Sequence, residues 1–157
     1  MKILLIEDEK LLCDTLKDLL TAKGFQVEAV YDGETGAEYA LLGSESHLRQ
    51  VVDILLDNGC KYGALGQAVK LTLQRQSRGK MLLTVASKGA PLTPGQCKDI
   101  FKRFYRVDEA RAMNHSYGLG LPIADSIVPE HGGKIWAAAT VDGNVFSVQL
   151  PTLQYIM

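Results

Sequence analysis

Most of the structural information in this chain lies in two stretches, DIFKRFYRVDEARAMNHSYGLGLPIADSIV at residues 99–128 and HLRQVVDILLDNGCKYG at residues 47–63. The first stretch contains a Phe-x-x-Phe motif, a long polar loop and a Gly-x-Gly motif at the start of an apolar, helix-like run. The second predicts an amphipathic helix that carries an asparagine. Glycines before a helix allow its free backbone amides to approach phosphate oxygens closely. Together, the two stretches predict a nucleotide-phosphate site.

Length and composition limit what else the chain can be. Its 157 residues are enough for one domain, or one domain with a fragment, and 46% hydrophobic residues are enough for a packed core. The net charge of −1 provides no basic field for nucleic acid or an anionic membrane. Apolar runs of about five residues are far shorter than the ~20 needed to cross a bilayer. MKILLIEDE lacks a cleavage-site pattern, so we expect a cytoplasmic protein without a signal peptide.

The cysteines give no sign of a disulfide or metal framework. Cys13, Cys60 and Cys97 are odd in number and lack Cys-x-x-Cys spacing. We therefore expect inert thiols in a reducing compartment.

Residues 1–43 show the periodicity of a β-α-β-α unit. Lys2–Ile6 is a continuous apolar run, typical of a strand buried on both faces. A leucine stripe at helical spacing follows and ends at Gly24; its members are Leu11, Leu12, Leu16, Leu19 and Leu20. Phe25–Tyr31 predicts a second strand, and Thr35–Leu42 predicts a second helix. This order implies parallel strands.

Residues 44–157 predict a second unit, and the short polar stretch at residues 43–46 marks the boundary between the two units. The predicted strands are Val69–Leu73, Met81–Val85, Lys134–Ala138 and Val145–Leu150. The predicted helices are residues 47–62, a helix that contains Ile100, Phe101 and Phe104, and a helix from about Leu119 that Pro129 ends or kinks. Residues 105–117 are polar and weakly periodic, as expected for a lid. This half is expected to form a mixed sheet with helices on one face, an α/β (α+β sandwich) fold.

Candidate ligand-binding side chains lie on one face of the 47–62 helix. Asn58, Lys61 and Tyr62 are three and four residues apart, so they project together. An amide oxygen is a suitable ligand for Mg²⁺, an ammonium group suits phosphate, and an aromatic ring can lie against a purine. On an isolated helix such residues are more often a solvated face. The glycine pair Gly118 and Gly120 favours the functional interpretation.

These motifs resemble the ATP-binding domain of two-component sensor histidine kinases, which has the Bergerat-type fold. Asn58 with Lys61-Tyr62 is similar to that family's N-box. The segment from Phe101 through Phe104 is similar to its F-box. Its last glycine box is matched by Gly118, Leu119, Gly120 and Leu121, and its closing strand by DGNVFSVQLP at 142–151. The resemblance implies ATP and Mg²⁺ as ligands, Asn58 on Mg²⁺, Lys61 near phosphate, Tyr62 beside the base and residues 105–117 as the ATP lid.

Two positions depart from that family's pattern. The box that recognises adenine reads Asp-x-Gly-x-Gly in the family but Ser87-Lys88-Gly89-Ala90-Pro91 here, aligned back from Phe101. Loss of the charged acceptor costs about 1.5–3 kcal/mol, a tenfold to hundredfold loss of affinity. A further N-box asparagine is replaced by Ile54. Ser87, Gly89 and Phe104 complete the expected ATP site. Because of the two substitutions, the alternative interpretation is a degenerate pocket that binds nucleotide poorly.

The N-terminal unit, residues 1–43, resembles the beginning of a response-regulator receiver domain. KILLIEDE and YDG carry this resemblance, which implies that Glu7 and Asp8 are the vestige of the receiver's acidic Mg²⁺-binding pair. The phosphorylated aspartate of receivers lies on a later strand, beyond residue 43. Helix or turn positions prevent Asp14, Asp18 and Asp32 from replacing it. We therefore expect no receiver phosphorylation.

We also expect the kinase-like unit to lack its phosphoacceptor, because residues 1–43 do not show the pattern of a helical hairpin with a phosphoacceptor histidine. His47, His115 and His131 lie instead in a helix start, the lid and a turn. Two functions follow from the resemblance: an ATP–Mg²⁺-binding catalytic domain that transfers phosphate to a histidine, or an inactive module that docks on a partner. The implied partners are a kinase dimerisation hairpin or a response regulator. An internal deletion between adjacent genes and a deliberate chimera both explain the arrangement.

The kinase strands that normally precede the asparagine helix are expected to be missing, leaving an unpaired sheet edge. Two receiver strands alone form too small a core to be stable. We therefore expect Lys2–Ile6 and Phe25–Tyr31 to pack on or pair with the 44–157 sheet.

Overall fold

The computed structural model describes residues 2–7, 14, 17–18, 20–24, 26–31, 39–41, 43–76, 79–107 and 118–154. In this part of the chain, the strands are β1 Lys2–Glu7, β2 Gln26–Tyr31, β3 Tyr39–Leu41, β4 Val69–Gln76, β5 Lys80–Lys88, β6 Lys134–Ala139 and β7 Gly143–Gln154. The longer helices are α1 Glu45–Tyr62, α2 Pro94–Asp99 and α3 Gly120–Glu130. Residues 20–22 are also helical, and Gly24 follows them with a φ of +83°.

The strands form one mixed sheet in the order β2-β1-β4-β5-β7, with β6 and β3 both on the far edge of β7. Antiparallel pairing joins β4, β5, β7 and β6, whereas β1 runs parallel to both β2 and β4. The sequence prediction of a mixed sheet is therefore confirmed.

The helices cover one face of this sheet. The inward residues of β5 alternate as Met81, Leu83 and Val85, and all three are buried. They belong to the same hydrophobic cluster as the buried stripes of α1 and α3, which comprise Val51, Leu55, Leu56, Ala124, Ile127 and Val128. The helix stripe therefore packs on alternating strand residues, as the two periodicities predicted.

The N-terminal strands belong to the same sheet as the rest of the chain. β1 pairs with β4 from Ile3 opposite Val69 to Glu7 opposite Leu73. Leu20 is fully buried in the common core, and Lys23 forms an ion pair with Asp53 of α1. The expectation that Lys2–Ile6 joins the sheet is confirmed. The edge of β4 that is expected to be unpaired is therefore occupied by β1.

Two predicted helices differ from the structure. Tyr39–Leu41, within the predicted helix Thr35–Leu42, is strand β3 and pairs antiparallel with residues 152–154 of β7. Because β6 pairs only with residues 144–149, the end of β7 offers unpaired backbone groups that a strand satisfies and a helix does not. Residues 32–38 lie outside the described residues.

Helix α2 is shorter than predicted and excludes both phenylalanines. It begins with a capping box between Thr93 and Gln96, with Pro94 in the first turn, and ends at Asp99. Phe104 has a φ of +64°, which no right-handed helix allows. Its N–H donates to the carbonyl oxygen of Gly118 at 3.1 Å instead of to a helical carbonyl.

Candidate nucleotide site

Helix α1 carries the predicted ligand-binding face. Ser44 caps its first turn, and its buried residues lie towards the sheet. Asn58 is half-buried, whereas Lys61 and Tyr62 are exposed. Lys61 Nζ lies 2.5 Å from Asp57 Oδ2, so its ammonium group is bound to a neighbouring carboxylate. A phosphate would have to compete with that carboxylate for Lys61.

The start of α3 lies against α1, one turn before Asn58. A Cβ atom on Gly120 would lie 3.3 Å from Cγ2 of Ile54, so glycine permits this approach. Ile54 and Asn58 are four residues apart and therefore share a side of α1. No side chain caps α3 at Leu119. The first amides of α3, at Gly120 and Leu121, therefore lie at the Ile54 turn of α1, and no described side chain caps them.

The loop after β5 meets the end of α1 on the other side of Asn58. The N–H of Ala64 donates to the carbonyl oxygen of Lys88 at 2.6 Å. A Cβ atom on Gly63 would lie 3.5 Å from Cβ of Ser87, and one on Gly89 would lie 3.0 Å from the carbonyl oxygen of Tyr62. The structure thus brings Ser87 and Gly89 together with Tyr62.

Two residues that hold this loop were missed by the sequence reasoning. A Cβ atom on Gly143 would lie 2.1 Å from the carbonyl oxygen of Ser87, so only glycine fits there. Asn144 Nδ2 donates to the carbonyl oxygen of Ala90 at 2.9 Å, and its Oδ1 accepts from the N–H of Leu92 at 2.8 Å. The Asp142-Gly143 turn predicted a reversal of the chain, but nothing in the sequence predicted contacts with Ser87 and Ala90.

The described ends of the lid lie side by side. Gly118 has a φ of +65°, and a Cβ atom on it would lie 3.0 Å from the carbonyl oxygen of Tyr105. Phe104 is 72% exposed, whereas Phe101 packs against the core. Arg106 Nε is buried without an acceptor among the described residues. An anion near this position would satisfy that donor. Residues 108–117, including His115, lie outside the described residues.

Glu7, the described member of the predicted acidic pair, lies away from this site. Glu7 is the last residue of β1 and lies opposite Leu73 of β4. Val69, at the other end of this pairing, contacts α1 at Gly59 and is about 13 Å from Leu73 along the strand. Asp8 lies outside the described residues. Where the structure describes side chains, it contains no group of three or more His, Cys, Asp and Glu residues able to hold a metal.

The two described histidines are engaged elsewhere. Nε2 of His131 accepts a hydrogen bond from the N–H of Ser44 at 3.1 Å. The proton of the ring is then on Nδ1, which donates to the carbonyl oxygen of Ile127 at 2.9 Å. Its ring lies over Gly43, where a Cβ atom would be 2.0 Å from Cδ2 of the ring. The ring of His47 meets it edge to face, with the centroids 5.9 Å apart. His131 thus anchors the start of α1 to the end of α3.

Two side chains near the site have shifted pKa values. Burial raises the pKa of the Cys60 thiol, and the nearby Asp57 carboxylate adds to this effect. The thiol therefore stays protonated and unreactive at neutral pH. A hydrogen bond to Asp99, helped by that carboxylate's charge, raises the pKa of the exposed Lys102. Cys60 and Cys97 are free thiols, as expected. Cys13 lies outside the described residues.

The chain belongs to the family of histidine kinase-, DNA gyrase B- and HSP90-like ATPases, whose model matches residues 43–154. It is 32% identical over 145 residues to the sensor protein DltS of Streptococcus agalactiae serotype V, covering 92% of this chain and 32% of that protein. It is 33% identical over 154 residues to the sensor histidine kinase RppB of Synechocystis, covering 92% of this chain and 34% of that protein. The chain thus spans about a third of the length of these curated relatives. Both matches cover more of the chain than residues 43–157, so they extend into the N-terminal strands.

Solved structures share the whole fold. The structure of the mycobacterial sensor histidine kinase MprB matches 98% of this chain and 84% of that chain, with a TM-score of 0.67 and 22% identity. Full-length ShkA in complex with AMPPNP matches 99% of this chain and 27% of that chain, with a TM-score of 0.68 and 20% identity. No described helix is long and apolar enough to cross a membrane.

Proposed function

We propose that the chain is the ATP–Mg²⁺-binding catalytic domain of a sensor histidine kinase in two-component signalling. One observation carries the proposal: the uncapped start of α3 contacts α1 at Ile54, the Ser87–Gly89 segment contacts the end of α1, and Asn58 lies between these two contacts along the helix. Family membership implies ATP as the ligand. The site is proposed to include Asn58, Tyr62, Ser87 and the amides of Gly120 and Leu121. Lys61, Gly89, Phe104, Gly118 and Leu119 complete it.

In this proposal the protein positions phosphates instead of forming a covalent intermediate. The amides at the start of α3 bind phosphate oxygens, and the oxygen of Asn58 would hold Mg²⁺, which neutralises phosphate charge when bound. Arg106 Nε, which has no acceptor in the part of the chain that the structure describes, fits an anion next to the lid. Ser87 accepts one hydrogen bond from the adenine amine in place of the family's aspartate.

Calorimetric titration with ATP and Mg²⁺ tests the site. Asn58→Ala is expected to weaken binding at least about tenfold, because a metal ligand is lost. Gln50→Ala, an exposed change on the same helix, is the control and should bind ATP as the wild type does. Equal affinities for Asn58→Ala and the wild type would contradict the assignment of Asn58.

Restoring the charged acceptor is expected to tighten ATP binding. Ser87→Asp should raise affinity about tenfold to a hundredfold, because a carboxylate forms a stronger hydrogen bond with the adenine amine. Ser87→Asn supplies a neutral acceptor of the same shape and should gain much less. If neither the wild type nor folded Ser87→Asp binds ATP, the alternative function holds: an interaction module without ATP turnover. Ile54 favours this alternative. It stands where the N-box often has an asparagine, so it makes an apolar contact with Gly120 and removes a polar contact to the phosphates or metal.

The phosphoacceptor is proposed to lie on a partner, so the isolated chain should not phosphorylate itself. His131 uses both ring nitrogens in hydrogen bonds, and His47 lies beside it at the opposite end of α1 from Asn58. Incubation with γ-labelled ATP should therefore leave no acid-labile phosphate on the protein. Stable labelling that His47→Gln, His115→Gln or His131→Gln removes would show that a histidine of this chain accepts phosphate.

A response regulator or a kinase dimerisation hairpin is the proposed partner. A solved structure of the histidine kinase ThkA in complex with the response regulator TrrA matches 68% of this chain and 28% of that chain, with a TM-score of 0.56 and 27% identity. The proposed location is the cytoplasm, where ATP is available.

We also propose that the start of the chain derives from a receiver domain, with the kinase-type domain beginning near residue 44. The parallel pair β1 and β2, with helical residues between them, supports this origin. The family match, which begins at residue 43, supports the boundary. The receiver-like structure ends with β2, because β3 is a strand where a receiver has a helix. In this proposal the receiver-like strands occupy the places of kinase strands.

A further inference from the structure

An apolar groove of about 600 Å³ lies between α2 and β6, and none of its lining residues belongs to the proposed nucleotide site. One wall is formed by Leu92, Cys97 and Phe101, and the other by residues 135–139. Five consecutive strand residues line it. Because successive side chains of a strand point to opposite faces, a groove lined by all five meets the strand along its edge.

No described strand pairs with the outer edge of β6 along this groove. Among the described strands, β6 pairs only with β7, through Lys134–Ala139 opposite residues 144–149. An edge strand presents a row of backbone N–H and C=O groups that can accept another strand. Natural edges are usually protected by charge, proline or a bulge, but residues 135–139 read IWAAA.

Two lysines give the groove a positive charge. Lys98 lines it from α2, and Lys134 is exposed on β6, one residue before the lined segment. Neither lysine forms an ion pair with a described residue, whereas Lys102, close by, is bound to Asp99. A ligand that fits here supplies carboxylates as well as apolar side chains.

We infer that this groove binds an extended segment of a partner protein that alternates apolar and acidic residues. The segment adds to the sheet as a strand beside β6, between that edge and α2. Its backbone pairs with β6, its apolar side chains contact Phe101 and Leu92, and its carboxylates face Lys98 and Lys134. This inference does not depend on nucleotide binding at the proposed site.

Trp136 is the only tryptophan of the chain and lies in the groove wall, 39% exposed, so its fluorescence reports occupancy. The probe is an acetylated, amidated octapeptide of alternating valine and glutamate. We expect a saturable blue shift of the emission as the peptide shields the indole. The Lys98→Glu/Lys134→Glu variant should bind at least tenfold more weakly, and Lys70→Glu, an exposed change on β4, should bind as the wild type does.

A second peptide, N-methylated at alternate residues, separates strand addition from simple apolar contact because it cannot complete the backbone ladder. It should give no saturable shift. The inference is overturned if no peptide shifts the emission at millimolar concentration, or if both peptides bind equally. A further outcome that overturns the inference is dimerisation of the protein alone, accompanied by a blue shift of the tryptophan emission that Lys134→Glu abolishes. In that case a second copy of the chain, and not a partner segment, occupies the edge of β6.

Discussion

Leu5→Pro is expected to lower the free energy of unfolding by about 3 kcal/mol or more, a large part of the 5–15 kcal/mol typical of a domain. β1 is an interior strand, with β2 on one side and β4 on the other. Proline has no N–H to donate, and its ring prevents close pairing, so an interior strand does not accommodate it. The loss should appear in urea unfolding monitored by circular dichroism.

Gln26→Pro is the matched control, because Gln26 is the first residue of β2, which lies at the edge of the described sheet. Proline is tolerated at such positions, so we expect a change below about 1 kcal/mol. Hydrogen exchange provides an independent measurement: Leu5→Pro should remove protection from β4 amides near Leu71. Equal unfolding midpoints for Leu5→Pro and the wild type would show that β1 is not part of the sheet in solution.

Gly143→Ala is expected to damage both stability and ATP binding. The new Cβ would lie 2.1 Å from the carbonyl oxygen of Ser87 and 2.8 Å from Cα of Lys88. These are backbone atoms, so the strand ends must move apart, at a cost of about 3 kcal/mol or more. Because Ser87 moves with them, we expect ATP affinity to fall at least about tenfold at temperatures where the variant remains folded.

Gly95→Ala is the control for this substitution. A Cβ atom on Gly95 would meet nothing closer than Oγ1 of Thr93 at 3.9 Å, and alanine favours a helix. We therefore expect unchanged or slightly raised stability and unchanged ATP binding. Thermal unfolding and calorimetry on both variants make the comparison. A Gly143→Ala protein as stable as Gly95→Ala would mean that β5 and β7 are not in close register at this point.

The sequence predicted the elements whose periodicity is strong. The helix of residues 47–62 and the hairpin of β4 and β5 have long stripes or alternations, and both lie where expected. The approach of Gly120 to the 47–62 helix, at Ile54, agrees with the motifs, because family motifs encode which segments meet.

What the sequence did not predict depends on distant partners. Tyr39–Leu41 has an apolar, helix-compatible sequence, and only the free end of β7 makes it a strand. Phe104 left the helical conformation because Gly118, across the lid, provides the acceptor for its N–H. The contacts of Asn144 with Ala90 and Leu92 depend on the register of β5 against β7, which local patterns do not specify.

The pairing of β1 with β4 also determines when the chain can fold during synthesis. Ile3 is synthesised before Val69, and Tyr39 before Gln154, so neither strand can complete its pairing until its distant partner has been made. Contacts between such distant residues form slowly, because the intervening loop must first be closed. Until then the nascent chain exposes an apolar strand with open edges. This sheet is therefore completed only after Gln154 has been made, and chaperones that bind extended apolar segments should associate with the growing polypeptide until then.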